Sequence, residues 1–271
     1  MKWVLSFVAT QSYLDKAFET IRQARTVGKW VDDIVLTISD DVVLKDEHER
    51  SFLELRTSIY VVRSRNVDRI LEVWKNHRTH PRYEYTINRL GIYLKFNIFD
   101  IYFKQWDTVF YLDAGAVILG DLGRFKASCI PNGCLYAHSD AYPIYERKLS
   151  GQFAFELIDP FDADTMKRTY AMECDYFQST VMIFDSSILQ PGISDTLFEM
   201  YERYPNSLTG DQAILNLYFT LQYPIWKPLQ LKDEYGFLYD FHERDRYSTN
   251  HYAILKYPHY SNEIHRYSTL S

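Results

Sequence analysis

The sequence predicts an α/β fold: a mostly parallel central sheet flanked by helices, with an irregular second half. Three observations carry that expectation. Short apolar, β-prone runs occur at 3–9, 33–38 and 59–62, and a fourth runs up to Asp113. Helical periodicity fills the segments between them, as crossover connections of a parallel sheet require. The 271 residues carry 46% hydrophobic and 24% charged side chains, the balance of an ordinary globular chain.

Each element has its own signal. Residues 3–9 (WVLSFVA) read as a buried strand. Ser12, with Asp15 three residues on, resembles a capping box that starts a helix. Leu14, Ala17, Ile21 and Ala24 follow at helical spacing, and Gly28 closes the segment. Residues 33–38 and 59–62 read as strands, with helices at 45–56 and 66–77. The longest periodic segment is 85–105, where Ile87, Leu90 or Gly91, Leu94, Ile98 and Ile101 form one stripe of a long helix. The apolar run with Asp113 follows, continuing through AVILGDL. Residues 134–137 and 176–184 read as strands, 139–172 as loop, and 192–204 and 210–221 as helices. The Tyr-, His- and Pro-rich tail shows no clear element after about residue 255. In such sheets ligands bind beyond the carboxyl ends of the strands. The informative positions are therefore Ala9 to Tyr13, Arg63 to Asn66 and Asp113 to Gly115.

Composition excludes several classes. Thirty Lys and Arg against 36 Asp and Glu give a net charge of −6, without the basic footprint of a nucleic-acid binder. Three cysteines do not make a disulfide framework. The opening MKWVLSFVAT is too short for a convincing signal peptide, and no stretch approaches the ~20 apolar residues of a membrane span. The expectation is a soluble, cytoplasmic chain with reduced thiols. Aromatic residues reach 17%, with 23 Tyr, which suits either pockets that stack flat rings or sugars or an aromatic core and surface.

Asp113 ends an apolar strand, where a carboxylate is costly unless it is paired, binds a metal or caps a turn. Its context, VFYLDAGAVILGDL, resembles the strand and metal-binding turn of GT-A glycosyltransferases, especially the glycogenin-like retaining family 8. Further segments resemble that family in the same order. Lys95 sits like its donor-binding lysine. Asp175-Tyr176-Phe177-Gln178-Ser179-Thr180-Val181 is similar to Asp-x-Phe-Asn-Ser-Gly-Val. Gly210-Asp211-Gln212-Ala213-Ile214-Leu215-Asn216 is similar to Asp-Gln-x-x-Leu-Asn, and Asn250-His251-Tyr252 with Lys256-Tyr257-Pro258 to a C-terminal His and Lys-Pro-Trp region. The sequence departs from the pattern at Gly115, which stands where the second acid of Asp-x-Asp belongs, and at Gln178, Thr180 and Lys256-Tyr257-Pro258.

The resemblance implies a GT-A (Rossmann-like) fold over residues 1–271 as one domain. Residues 1–125 would form the nucleotide-binding half and 126–271 the acceptor-binding half with the C-terminal tail. It implies metal-assisted transfer of a sugar from a nucleoside diphosphate, UDP in the family, to a hydroxyl acceptor on a glycan or glycoconjugate, with retained anomeric configuration. Asp113 and His251 would hold Mn2+ (or Mg2+). With Gly115 in place of an acid, weaker, donor-dependent metal binding is expected. Ala9, Thr10 and Tyr13 would hold the base, Ala114 and Gly115 the ribose, and Lys95 and Lys256 the phosphates. Asp175 and Gln178 would meet donor sugar or acceptor, and Asp211 and Gln212 would lie beside the anomeric carbon. Asp211 also has a structural reading, because Thr209-x-x-Gln212 forms a capping box around it. The alternatives are a catalytically impaired binding protein of the same fold, an inverting enzyme, and a nucleotidyltransferase. The last is disfavoured because ATQSYLDK lacks a Gly-rich phosphate loop. The cluster Lys75, His77, Arg78, His80, Arg82 and Arg89 is either a solvated face or a contact for an acidic acceptor.

Overall fold

The computed structural model describes residues 1–129, 131–140, 147–240 and 252–256. The first elements are β1 (Trp3–Val8), α1 (Leu14–Thr26), β2 (Asp33–Ser39), α2 (Asp46–Glu54), β3 (Thr57–Val62), α3 (Asp68–Lys75), α4 (Tyr83–Ile87) and β4 (Thr108–Leu112). After β4 come β5 (Val117–Ile118), α5 (Gly123–Ser128), β6 (Leu135–Ser139), α6 (Pro160–Thr169), β7 (Phe177–Asp185), α7 (Ile193–Arg203) and α8 (Asp211–Asn216). Four short strands close the described chain: β8 (Trp226–Pro228), β9 (Lys232–Asp233), β10 (Gly236–Asp240) and β11 (Tyr252–Leu255).

A seven-stranded sheet runs in the order β3-β2-β1-β4-β7-β6-β8. Strands β3, β2, β1 and β4 are parallel, and β7 runs antiparallel to both β4 and β6. The chain winds outward through β2 and β3 and returns across β1 to β4. The strand order therefore reverses between β1 and β4, the switch point at which open α/β sheets leave a crevice.

The two-residue period of the strands separates two cores. Trp3, Leu5 and Phe7 of β1, Phe110 and Leu112 of β4, and Val181 and Ile183 of β7 pack on one face with α1. Val4, Val109, Tyr111, Met182 and Phe184 pack on the other. The predicted α1 stripe, Leu14, Ala17, Ile21 and Ala24, is buried in the first core. Much of the aromatic content is packing: Phe99 lies 4.8 Å from Phe184 and 4.6 Å from Phe219, ring centre to ring centre.

Several expectations are corrected. Segment 85–105 is not one long α-helix. After α4 it continues as 3-10 turns, Leu90–Phe99 and Ile101–Gln105. Its apolar residues cover the whole circumference, with Tyr93, Leu94, Phe96, Ile98 and Phe99 all buried, so no one-sided stripe sets a 3.6-residue period. The Asp100 carboxylate then accepts from the Tyr102 N–H and restarts the chain as a separate turn. Neither capping box forms. A 3-10 turn, Gln11–Tyr13, precedes α1, and Thr209 donates to Gln152 rather than capping α8. The acids at 159–164 belong to α6, with Asp159 as its N-cap, where loop was expected.

Candidate active site

Three strand and helix ends meet at the carboxyl end of β4. Asp113 directly follows that strand, and its N–H donates to the Thr180 carbonyl of β7 at 2.9 Å. Lys95 descends from the 3-10 segment before β4. Asp211 opens α8. Gly210, the residue before it, has φ 61°, and a Cβ there would stand 2.7 Å from Ile92 Cγ2. This close approach needs glycine, and it sets α8 against the segment that carries Lys95. Lys256 arrives by another route. Strand β11 pairs with β5 so that Leu255 faces Val117, which places the next residue beside the turn after Asp113.

The four side chains form one ionic cluster. Lys95 Nζ lies 2.9 Å from Asp113 Oδ1 and 2.5 Å from Asp211 Oδ2. Lys256 Nζ lies 3.5 Å from Asp113 Oδ2. The Tyr111 hydroxyl donates to Asp113 Oδ1 at 2.7 Å, and Ser179 Oγ bridges, donating to Asp211 at 2.7 Å and accepting from Lys95 at 3.0 Å. Lys95 and Asp211 are 6% and 2% exposed, whereas Asp113 and Lys256, at 22% and 21%, reach the surface. The cluster thus has a dry floor and an accessible rim.

Burial and pairing split the two carboxylates. Burial opposes ionisation of Asp113, but Lys95, Lys256 and the Tyr111 hydrogen bond outweigh it and hold the group down at about 2. Burial also dominates at Asp211, reinforced by Asp113, and raises its pKa despite Lys95 and Ser179. Lys95 stays protonated: burial lowers its pKa, and the two carboxylates more than restore it. Burial, Lys95 and Arg89 together lower Lys256, against the pull of Asp113. For Asp113, a folded pKa below the unfolded one means stability present above about pH 4 and lost as pH falls towards 2. The shift corresponds to about 2 kcal/mol. Comparing urea midpoints of wild type and Asp113→Asn from neutral pH downward is expected to show their difference shrink through that window.

Gln212 Oε1 accepts from the Ser179 N–H at 3.3 Å, beside Asp211. Gln178 is buried and donates to Asp140 Oδ1 at 2.5 Å, while accepting from the Tyr239 hydroxyl at 3.2 Å. Ala9, Thr10 and Tyr13 follow β1, with the Ala9 N–H on the Thr37 carbonyl and Lys16 Nζ 4.8 Å above the Tyr13 ring. Ala114 and Gly115 form the turn after Asp113, where the Gly115 N–H donates to Thr20 Oγ1 at 3.0 Å. Asp175 is tied to Ser139 Oγ and to the Tyr176 N–H, not to the Lys95 cluster. His251 lies outside the described residues, so its expected place beside Asp113 is not described. Arg65 pairs with Asp195 across the surface, as an unassigned surface charge would. In the basic segment, Arg82 and Arg89 both lie over the Tyr85 ring.

Sequence reasoning missed four contributors. Ser179 joins Lys95 to Asp211, Tyr111 braces Asp113, Thr20 holds Gly115, and Asp140 gathers Gln178, Tyr176 and Arg147. Asp140 carried a signal: like Asp113, it is an acid at the end of an apolar strand. Tyr111 sits two residues before Asp113, hence on the same strand face.

Gly115 has φ 86°. An alanine there would adopt a left-handed backbone at a cost of about 1–2 kcal/mol. Gly115→Ala is accordingly expected to lower the urea midpoint with an unchanged m-value.

A divalent ion fits the described residues poorly. Among them no group of three or more His, Cys, Asp or Glu could hold a metal ion. Both oxygens of Asp113 already face ammonium groups, and the position of a second acid is glycine.

The sequence profile of glycosyl transferase family 8 matches residues 4–264. The chain belongs to that family. The GT-A architecture of this family 8 chain is shared with solved structures. The galactosyltransferase LgtC, solved with donor and acceptor sugar analogues, aligns with TM-score 0.57 at 13% identity, over 94% of this chain and 87% of that one. The bifunctional glycosyltransferase WbbM aligns with TM-score 0.54 at 14% identity, over 95% and 46%. GlyE of Streptococcus pneumoniae TIGR4 aligns with TM-score 0.50 at 14% identity, over 87% and 47%. This family 8 chain therefore spans about half the length of WbbM and GlyE. No curated protein matches it in sequence. Among its described residues, no helix is long and apolar enough to cross a membrane.

Proposed function

We propose that the chain moves a sugar from a nucleoside diphosphate, UDP by the resemblance of its first strand end, to a hydroxyl of a glycan or glycoconjugate, with retained anomeric configuration. The observation that carries this reading is the Lys95–Asp113–Asp211–Lys256 cluster at the switch point of the sheet. The half up to residue 125 would hold the nucleotide, with Tyr13 against the base and the Ala114–Gly115 backbone at the ribose. The half from 126 onward would hold the acceptor, with Asp175 and Gln178 on the sugar side. LgtC, crystallised with donor and acceptor sugar analogues, supports a donor and an acceptor on this fold by likeness alone.

The chemistry follows from the charges. As the bond from C1 to the β-phosphate oxygen breaks, its electron pair stays on the phosphate, and Lys256 at the rim meets that charge. Positive charge grows at the anomeric carbon, and Asp211, with Gln212 beside it, faces it as a fixed negative group. The acceptor oxygen bonds C1 on the face the leaving group has left, and its proton passes to the departing phosphate oxygen. Buried, free Cys129 and Cys134 support a reducing, cytoplasmic setting.

A panel of nucleotide-sugars assayed for released nucleoside diphosphate tests the reading, with proton NMR of the fresh product reporting the anomer. Asp113→Asn is expected to fold and to lose turnover by at least about 100-fold, because Lys256 and Lys95 lose the group that aims them. Wild-type turnover in that variant would refute the site.

A further inference from the structure

The donor reading leaves one question of charge: what neutralises the leaving diphosphate. Transfer from a nucleotide needs fixed cations at the phosphates, and a metal ion or side chains can supply them. Three observations in this chain bear on the choice.

First, Asp113 is occupied on both oxygens. Oδ1 accepts from Tyr111 and faces Lys95, and Oδ2 faces Lys256 at 3.5 Å. A divalent ion on Asp113 would meet two ammonium groups at close range, and like charges there repel. Second, the turn is built around glycine. Position 115 carries no carboxylate, and its φ of 86° lies in the left-handed region that favours glycine. Third, the space next to Gly115 is filled by a lysine stem. Lys16 Cδ lies 3.6 Å from where a Cβ would stand, and its ammonium extends over the Tyr13 ring. Where a second carboxylate would add negative charge, this chain brings a positive one.

Lys95 and Lys256 thus balance Asp113 and Asp211, and Lys16 brings a further ammonium over the Tyr13 ring beside the turn. The field of Arg89 also reaches Lys256. A diphosphate on the accessible rim would meet these fixed cations.

We propose that this enzyme binds and releases its nucleoside diphosphate on fixed lysines, with Lys256, held by Asp113, in the place of a divalent cation, so that donor binding and turnover need no metal. The inference rests on the donor reading above. The bond that breaks is still the one between C1 and the phosphate oxygen, and the electron pair left on that oxygen meets the Lys256 ammonium.

Isothermal titration of the full chain with UDP and UDP-sugars, after chelation and again with excess Mn2+, separates the possibilities. The expected result is a dissociation constant that agrees within about threefold between the two conditions, and that weakens by about 100-fold in Lys256→Gln under both. Multiple-turnover rates of wild type are expected to be equally insensitive to chelation. Binding that appears only with Mn2+ would overturn the metal-free inference and leave the donor reading standing. Metal-free binding that Lys256→Gln does not weaken would overturn the role given to Lys256. Failure of any nucleoside diphosphate or nucleotide-sugar to bind in either condition would overturn the donor reading and this inference with it. Should Lys256→Gln fail to fold, the chelation comparison on wild type decides alone.

Discussion

Lys95→Met is expected to lose turnover entirely and to destabilise the fold by about 3–5 kcal/mol. The methionine fills the same volume, so packing by Tyr93, Leu94 and Phe96 survives, and the loss is electrostatic. Asp113 keeps Lys256 and Tyr111. Asp211, 2% exposed, keeps among the contacts described here only the Ser179 hydroxyl. Its carboxylate is then a buried charge without its cation, and it takes up a proton. The sign of the pH dependence follows. Asp211 already has a folded pKa above its unfolded one, and the substitution raises it further. The folded state then binds more protons than the unfolded state in the window between those values, so stability falls as pH rises through it. Urea midpoints measured from about pH 5 to about pH 8 are expected to show the Lys95→Met deficit growing with pH. A deficit independent of pH would mean that Lys95 does not carry Asp211.

Asp211→Asn is expected to separate chemistry from stability. Asparagine keeps the shape and can still accept from Ser179 through its carbonyl oxygen. It removes a carboxylate whose ionisation burial and Asp113 both disfavour. Those gains offset the lost attraction to Lys95, and stability is expected to change by less than about 1 kcal/mol. In the proposed mechanism turnover depends on the negative charge opposite the anomeric carbon, and kcat is expected to fall by about 100- to 1,000-fold with donor KM little changed. Stopped assays with saturating donor, together with thermal unfolding of the same preparation, check both halves. A folded Asp211→Asn enzyme with wild-type kcat would remove Asp211 from the mechanism.

Much of this arrangement was legible in the sequence. Strands β1, β4 and β7 were readable because they are buried on both faces and so appear as continuous apolar runs. The α1 stripe was readable because only one face of that helix is buried. Segment 85–105 was misread for the opposite reason: with apolar residues on all sides, any stripe can be drawn through it. Strands β8 to β11 were not legible, being two to five residues long and held by pairing rather than by a strong pattern. Yet β11 delivers Lys256, so part of the site depends on structure that the sequence did not announce.

The site divides in the same way. Lys95, Asp113 and Asp211 were found through short segments in a characteristic order, and the fold brings them within hydrogen-bonding distance. Asp175 came from the same reasoning, but it serves Ser139 and the backbone of Tyr176. Ser179 and Thr20 were missed because a bridging hydroxyl has no spacing signature. Their roles arise only when β7 and α1 come alongside the turn after β4.

A crystal structure with a nucleoside diphosphate-sugar bound decides whether the donor sits on the Lys95–Asp113–Asp211–Lys256 cluster. A cleft of about 610 Å³ lies away from this cluster, lined by Arg69, Asp162, Glu199 and Arg203 between α3, α6 and α7. The diphosphate is expected within hydrogen-bonding reach of Lys256 Nζ, with the sugar turned towards Asp211. Diphosphate density in the cleft between α3, α6 and α7, with the Lys256 ammonium still facing only Asp113, would contradict it.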